Sequence, residues 1–423
     1  MNDDRRSQRG VRELDATPAA HSLPEFQTDA GCLIWGGVPL TRLADRVGRT
    51  PFYAYDRTRL DDRIAQLRAV LPGGVKLHYA LKANPMPALV CHMAKLVDGF
   101  DVASGAELQV ALDANMDPLE ISFAGPAKRR EELAQAVAAG ILLNVESFRE
   151  ARLLAELSAS AGLPARVAVR INPDFDLKSS GMKMGGGPKQ FGVDAEQVPE
   201  LLQEIRGLGL VFEGFHLYAG SQNLKAEAIC EAQEKTLDLA LRLAASAPAP
   251  PKVVNIGGGF GIPYFPGEQP LHLGPIGKNL HRLVKVVHKA IPGMQLVLEL
   301  GRFLVGEAGI YVCRVLDRKV SRGQAFLITD GGMHHHLAAS GNFGQVIRKN
   351  YPAVIGNRMS SGRRELASVV GPLCTPLDLL ADRMDLAEAA VGDLVVVFQS
   401  GAYGLTASPT AFLSHPAPAE VLV

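Results

Sequence analysis

The 423-residue chain has no net charge. Its 44 Lys plus Arg balance 44 Asp plus Glu, which leaves no field to steer it onto nucleic acid or an anionic membrane. Paired cysteines are absent as well. Cys32, Cys91, Cys230, Cys313 and Cys374 are odd in number, far apart and without a C-x-x-C pair. A zinc ribbon or a disulfide scaffold is therefore not expected; reduced thiols and a cytoplasmic location are. No uncharged apolar run approaches the roughly 20 residues of a membrane helix. Residues 1–22 are charged and lack the apolar core of a secretory signal, so 1–25 are expected to form a disordered tail. There is no internal repeat and no low-complexity tract. Glycine, by contrast, is plentiful at 43 residues, about 10% against a usual 7%. Glycine suits places where backbone turns sharply or approaches a ligand.

From residue 51 to about 300, short β-rich runs alternate with stretches of helical period. The spacing predicts strands at 75–80, 100–103, 119–123, 141–144, 166–171, 211–217, 252–256 and 295–299. Helices are expected at 87–96, 105–113, 128–139, 147–158, 197–207, 226–246 and 277–290. Eight strands and their helices in about 250 residues match an α/β architecture of the (β/α)8 barrel type; a doubly wound open sheet is the rival. After residue 300 the runs at 309–316, 324–329, 367–370 and 393–399 are β-like, with one helix expected near 377–385. The domains then read as a segment 26–51 packing with the β domain, a barrel over 52–300, and a mainly β domain over 301–423.

A barrel carries its chemistry at the C-terminal ends of its strands. The first expected strand runs into Lys82, an amine in a partly desolvated mouth, where Schiff-base chemistry is favoured. The sixth runs into Tyr218, Gly220 and Ser221. The seventh runs into Gly257-Gly258-Gly259-Phe260-Gly261, a turn able to crowd backbone N–H groups around a phosphate. The eighth ends in Glu299-Leu300-Gly301-Arg302. Amine, phosphate nest, carboxylate and guanidinium on one rim are the parts that pyridoxal 5′-phosphate chemistry requires.

These residues carry a specific resemblance. The segments His78-Tyr79-Ala80-Leu81-Lys82-Ala83-Asn84, Phe100-Asp101-Val102-Ala103-Ser104-Gly105-Ala106-Glu107, Gly220-Ser221-Gln222, Gly257 to Gly261 and Glu299 to Arg302 are ordered along the chain. Gly371-Pro372-Leu373-Cys374 with Asp378, and Gly401-Ala402-Tyr403-Gly404, follow them. The chain resembles the fold type III pyridoxal phosphate decarboxylases, the group of diaminopimelate, ornithine and arginine decarboxylases. That resemblance implies an alanine racemase-like barrel with a C-terminal mainly β barrel domain. The texture around Thr329 to His336 and Gly341 to Gly344 is similar to a subgroup associated with exosortase and exopolysaccharide loci.

By resemblance, Lys82 holds the cofactor as a Schiff base. Ser221, Gly258, Gly259, Arg302 and Tyr403 hold its phosphate, Asp101, Tyr218, Gly257 and Gly301 also contact the cofactor, and Glu299 pairs with the pyridine nitrogen. Cys374 of the other subunit of a homodimer supplies a proton to the carbanion, and Arg302, Asp378 and Tyr403 contact an amino-acid substrate. A carboxylate at Glu299 favours a decarboxylase. The rival racemase places an arginine there, and a non-catalytic homologue would have no need of Lys82, Glu299 and Cys374 together. Three departures stand out. Tyr218 occupies the usual place of a stacking histidine, with His216 two residues earlier. Thr375 replaces the acidic residue that follows the cysteine in diaminopimelate decarboxylases, and their Arg-Pro-x-Leu-Tyr segment is not visible near Asn342-Phe343. Diaminopimelate is therefore not the expected substrate. His334-His335-His336 are expected in a loop or interface, with no metal, because adjacent side chains cannot all face one ion. The glycine-rich stretch 179–190 is expected as a loop near the barrel mouth and not a P-loop, since no Gly-Lys-Ser/Thr ends it.

Overall fold

A computed structural model describes residues 25–175, 182–183, 185–343, 345 and 348–423. The tail expected at 1–25, apart from Glu25, lies outside them, as do Gly344 and part of the 179–190 loop.

Eight parallel strands form the barrel: Val75–Ala80, Gly99–Val102, Ile121–Phe123, Leu142–Val145, Arg166–Asn172, Val211–Leu217, Val253–Gly258 and Gln295–Leu300. All eight coincide with sequence-predicted runs to within two residues. The sheet closes on itself, because the last strand pairs with the first (Glu299 beside His78) and the fourth with the fifth (Val145 beside Val169). That closure settles the choice against an open sheet. The helices form for local reasons. Gly105–Asp113 and Phe148–Ala161 begin at Ser104 and Ser147, whose hydroxyls accept the N–H groups of Glu107 and Glu150. The latter ends at Gly162 in the left-handed region.

The second domain is mainly β, of antiparallel and parallel strands built on the long strand Gly309–Ser321. Two findings depart from the sequence reading. Phe52–Tyr55, at the start of the expected barrel segment, instead pairs with Gly309–Ser321 and with the C-terminal strand Ala419–Leu422. The barrel segment thus begins at the helix Arg57–Arg68. The helix expected at 377–385 is a strand, Leu379–Ala387, antiparallel to Arg364–Val370. Its Leu, Met and Ala residues favour a helix locally, but a neighbouring strand with unpaired N–H and C=O groups outweighs that propensity. Residues 27–47 pack on this domain as well: Leu33, Trp35, Leu40 and Leu43 share a core with Phe52, Ile310, Val396 and Phe398. Among the described residues, no helix is long and apolar enough to cross a membrane.

The three adjacent histidines are buried inside the β domain. His336 Nε2 donates to Ser400 Oγ at 2.9 Å, while its Nδ1 accepts the N–H of Ala339. Burial pushes His336 down to about 3; burial and their crowded histidine neighbours push His334 and His335 to about 4. In the unfolded chain such rings titrate near 6.5. The unfolded state therefore binds more protons as pH falls below 6.5, and stability present at neutral pH is lost on acidification. For the fully buried His336 the effect is on the order of 5 kcal/mol once its folded value is passed. Urea denaturation is expected to show a lower midpoint at pH 5 than at pH 7, with a smaller difference in His336→Gln. A pH-independent midpoint would contradict this account.

Candidate active site

Lys82 lies in the short turn Leu81–Ala83 that leaves the first barrel strand. Its Nζ donates to Glu299 Oε1 at 2.8 Å. Glu299 sits near the end of the eighth strand, 4% exposed, and its other oxygen lies 3.2 Å from His216 Nε2 and 3.5 Å from Asn255 Nδ2. Strand ends one, six, seven and eight thus converge on one carboxylate. Burial by itself would raise Glu299, but the Lys82 ammonium and His216 hold it well below the ordinary carboxylate range. Burial would likewise lower Lys82; Glu299 outweighs it and keeps the amine above the ordinary lysine range. The Lys82 side chain is still 42% accessible, through a cavity that reaches it from the barrel mouth.

That cavity, about 360 Å³, is lined by Lys82, Asp101, His216, Tyr218, Glu299 and Arg302 among others; its volume suits a small ligand. A narrow extension beneath adds Gly259 and Gly301 to the wall, with Ser221 and Tyr403 lining both. Tyr403 comes from the β domain. Its N–H donates to Ala83 O at 2.8 Å, and Asn84 Nδ2 donates to Gly401 O at 3.0 Å, so the second domain forms one wall of the mouth. Arg302 lies 4.6 Å from the Tyr403 ring centroid and donates to Tyr264 O–H at 2.8 Å. Its Nε is buried and has no partner among the described residues. The Tyr218 ring lies under the amine, 5.0 Å from Lys82 Nζ. His216 instead serves the carboxylate, a role that its position two residues earlier on the strand did not reveal.

The glycine turn leaves no room for a side chain. A Cβ at Gly258 would stand 2.1 Å from Glu299 O, and one at Gly259 would stand 2.4 Å from Gly220 O, with φ at +77°. Gly257 departs from the expectation: its N–H is donated to Asn255 Oδ1 at 2.8 Å and so is not offered to a phosphate. Asp378 departs too. It lines no part of the cavity, and its buried oxygens accept the N–H groups of Met333 and Leu373 at 2.6 and 2.8 Å. It braces the 371–378 loop. Cys374, on that loop, is exposed and lies outside the cavity of its own chain. The outer cavity also contains residues the sequence did not single out. Phe191 and Arg170 lie there, with Arg170 bonded to Glu146 at 2.8 Å and 4.9 Å from the Phe191 ring centroid.

Comparison with known proteins agrees with this geometry. Residues 57–306 match the family model described as pyridoxal-dependent decarboxylase, pyridoxal binding domain. An L-glutamyl-[BtrI acyl-carrier protein] decarboxylase of Niallia circulans is 41% identical, covering 90% of each chain. The diaminopimelate decarboxylase of Aquifex aeolicus is 34% identical over 95% of this chain and 92% of its own. The crystal structure of diaminopimelate decarboxylase from M. jannaschii in complex with L-lysine superposes with a TM-score of 0.83. It is 26% identical and covers 95% of this chain and 93% of its own.

Proposed function

Since the chain belongs to the fold type III pyridoxal-dependent decarboxylases, we propose that its substrate is an α-amino acid whose distal carboxyl is masked in an amide or thioester. The cofactor is pyridoxal 5′-phosphate, and the residues present fit it. An amine faces a buried carboxylate, a glycine turn admits no Cβ, and a buried guanidinium nitrogen on the same wall has no partner among the described residues. When bound, the cofactor supplies a conjugated ring that accepts the electron pair left as CO2 departs. Lys82 is the amine that holds it. Glu299, held by His216 and Asn255, would keep a proton at the ring nitrogen once Lys82 leaves it for the cofactor. Ser221, Gly258, Gly259, Gly301, Arg302 and Tyr403 hold the phosphate, and Tyr218 and Asp101 wall the ring. Cys374 of a second copy delivers a proton to the carbon that lost CO2.

One observation carries the substrate reading. Away from Lys82 the cavity wall is apolar, formed by Val102, Ala103, Ala124, Pro126, Phe191 and Phe343. Among the described residues its one outer cation, Arg170, is already committed to Glu146. A free distal carboxylate or ammonium would lose hydration there without gaining a partner among the described residues. A neutral acyl linkage suits such a wall, and the Niallia relative is named for a glutamyl group on a carrier protein. The test is CO2 release from labelled diaminopimelate, ornithine, arginine and glutamate, each supplied free and as a carrier-bound thioester. The tethered glutamyl form is expected to react fastest. Faster release from free diaminopimelate would overturn the substrate reading, and exchange at the α-carbon without CO2 would point to a racemase.

Sharing of sites has its own test. Mixed Lys82→Ala and Cys374→Ala subunits are each expected to be inactive alone. Together they should recover about 25% of wild-type turnover if subunits reassort at random into two-fold dimers. No recovery would place Cys374 in its own chain's site or outside the chemistry.

A further inference from the structure

Beneath the active site, on the first barrel strand, His78 is 6% exposed, and neither ring nitrogen has a hydrogen-bond partner among the described residues. Asp101 Oδ2 is also buried without one. These two orphaned groups face each other, with His78 Nδ1 3.4 Å from Asp101 Oδ2. The other carboxylate oxygen is taken by the Ser122 hydroxyl, which in turn accepts Asn144 Nδ2 at 3.2 Å. Asp101 lines the upper cavity beside Lys82, whereas His78 lines a separate cavity of about 270 Å³ with Lys76, Glu120 and Arg166. The imidazole therefore reaches from the base of the barrel to a wall of the active site. Space is made for it by the neighbouring strand: a Cβ at Gly99 would stand 2.5 Å from His78 Nε2.

We infer that His78 is a positioning residue, acting through Nδ1 on Asp101 to fix the carboxylate that walls the cofactor site. The orphaned Nδ1 and Oδ2 atoms at this separation need only a small rotation to satisfy each other, and neither has another partner among the described residues. The charged groups facing the imidazole are Asp101, Glu120 at 3.9 Å from Nε2, and Asp98. Glu120 is already paired with Lys76, and Asp98 with Arg68 and the N–H of Leu77. Asp101 is the one whose facing oxygen is unsatisfied.

The inference rests on the cofactor reading above, and the experiment separates the two. His78→Asn places an amide nitrogen near the position of Nδ1, whereas His78→Gln places one near Nε2. Titration of apo-protein with pyridoxal phosphate is expected to give a dissociation constant about tenfold weaker in His78→Gln and His78→Leu, and near wild type in His78→Asn. The pH midpoint of the loaded protein's visible absorbance should move in the first two and return in the third. In the double variant His78→Leu with Asp101→Asn, the affinity should match Asp101→Asn alone. Should His78→Leu fail to fold, the Asn and Gln comparison carries the same decision. Equal behaviour of Asn and Gln, or additive losses in the double variant, would overturn the inference. Wild-type protein that bound no cofactor would instead overturn the cofactor reading.

Discussion

Lys82→Ala is expected to abolish the visible absorbance of the loaded protein and to lower turnover by at least about a thousandfold. Nothing else in the cavity can replace it. Among the described lining residues the other basic nitrogens belong to the guanidinium groups of Arg170 and Arg302 and to the His216 ring, and none of them is a primary amine able to form a Schiff base. The wild-type amine is held above the ordinary lysine range because Glu299 outweighs burial. It is thus charged and paired with Glu299, and it would have to pass a proton on, at least transiently, before its lone pair could attack an aldehyde. The variant should also be less stable. Removing Lys82 leaves Glu299 buried with only His216 and Asn255 near its oxygens, and an uncompensated buried carboxylate costs several kcal/mol. Thermal unfolding of the apo-protein should therefore begin lower in Lys82→Ala than in Lys82→Arg, which restores the charge but not the chemistry. Full retention of turnover in Lys82→Ala would refute the site.

Glu299→Gln is expected to lower kcat by about a hundredfold or more with a much smaller change in KM. Glutamine keeps the shape and one acceptor but has no charge with which to hold a proton on the atom it faces. The substitution also removes the partner that keeps Lys82 protonated, so burial would then act on the amine unopposed by a carboxylate. The pH dependence follows with a definite sign. The folded value of Glu299 lies below its ordinary 4.5, so its contribution to stability is present above pH 4.5 and lost as pH falls through the folded value. Apo-Glu299→Gln should consequently lose less stability on acidification than wild type, although the buried histidines of the β domain act in the same direction in both proteins. Unchanged kcat in Glu299→Gln would show that the carboxylate has no part in catalysis.

Much of the site was legible because strand ends are marked locally. Lys82, Ser221, the glycine turn, Glu299 and Arg302 each follow a run of β-rich residues, and a barrel brings all such ends to one rim. Tyr403 was legible only through its family motif, since nothing in the local pattern of a β-domain loop says that it crosses over to Ala83. Other assignments needed the packed molecule. Gly257 looks like its neighbours in sequence, yet Asn255 two residues before it takes the N–H. Asp378 looks like a free acid, yet backbone amides at 333 and 373 enclose it. His216 and Tyr218 are separated by one residue on the same strand end, and only the position of Glu299 decides that the first serves the carboxylate and the second the amine.

The division follows from range. Period and composition within a dozen residues determined the eight barrel strands, the helices between them and the order of reactive groups along the chain, because each depends on a local choice of backbone conformation. The balance of charge and the scattered cysteines directed attention away from nucleic acid and disulfides to a small-molecule site. Tertiary structure decided that 52–55 leaves the barrel for the β domain and that 379–387 is a strand. It also brought together Lys82 and Glu299, 217 residues apart. Hydrogen-bond pairing and burial between distant segments set those outcomes, and no stretch of sequence contains both partners.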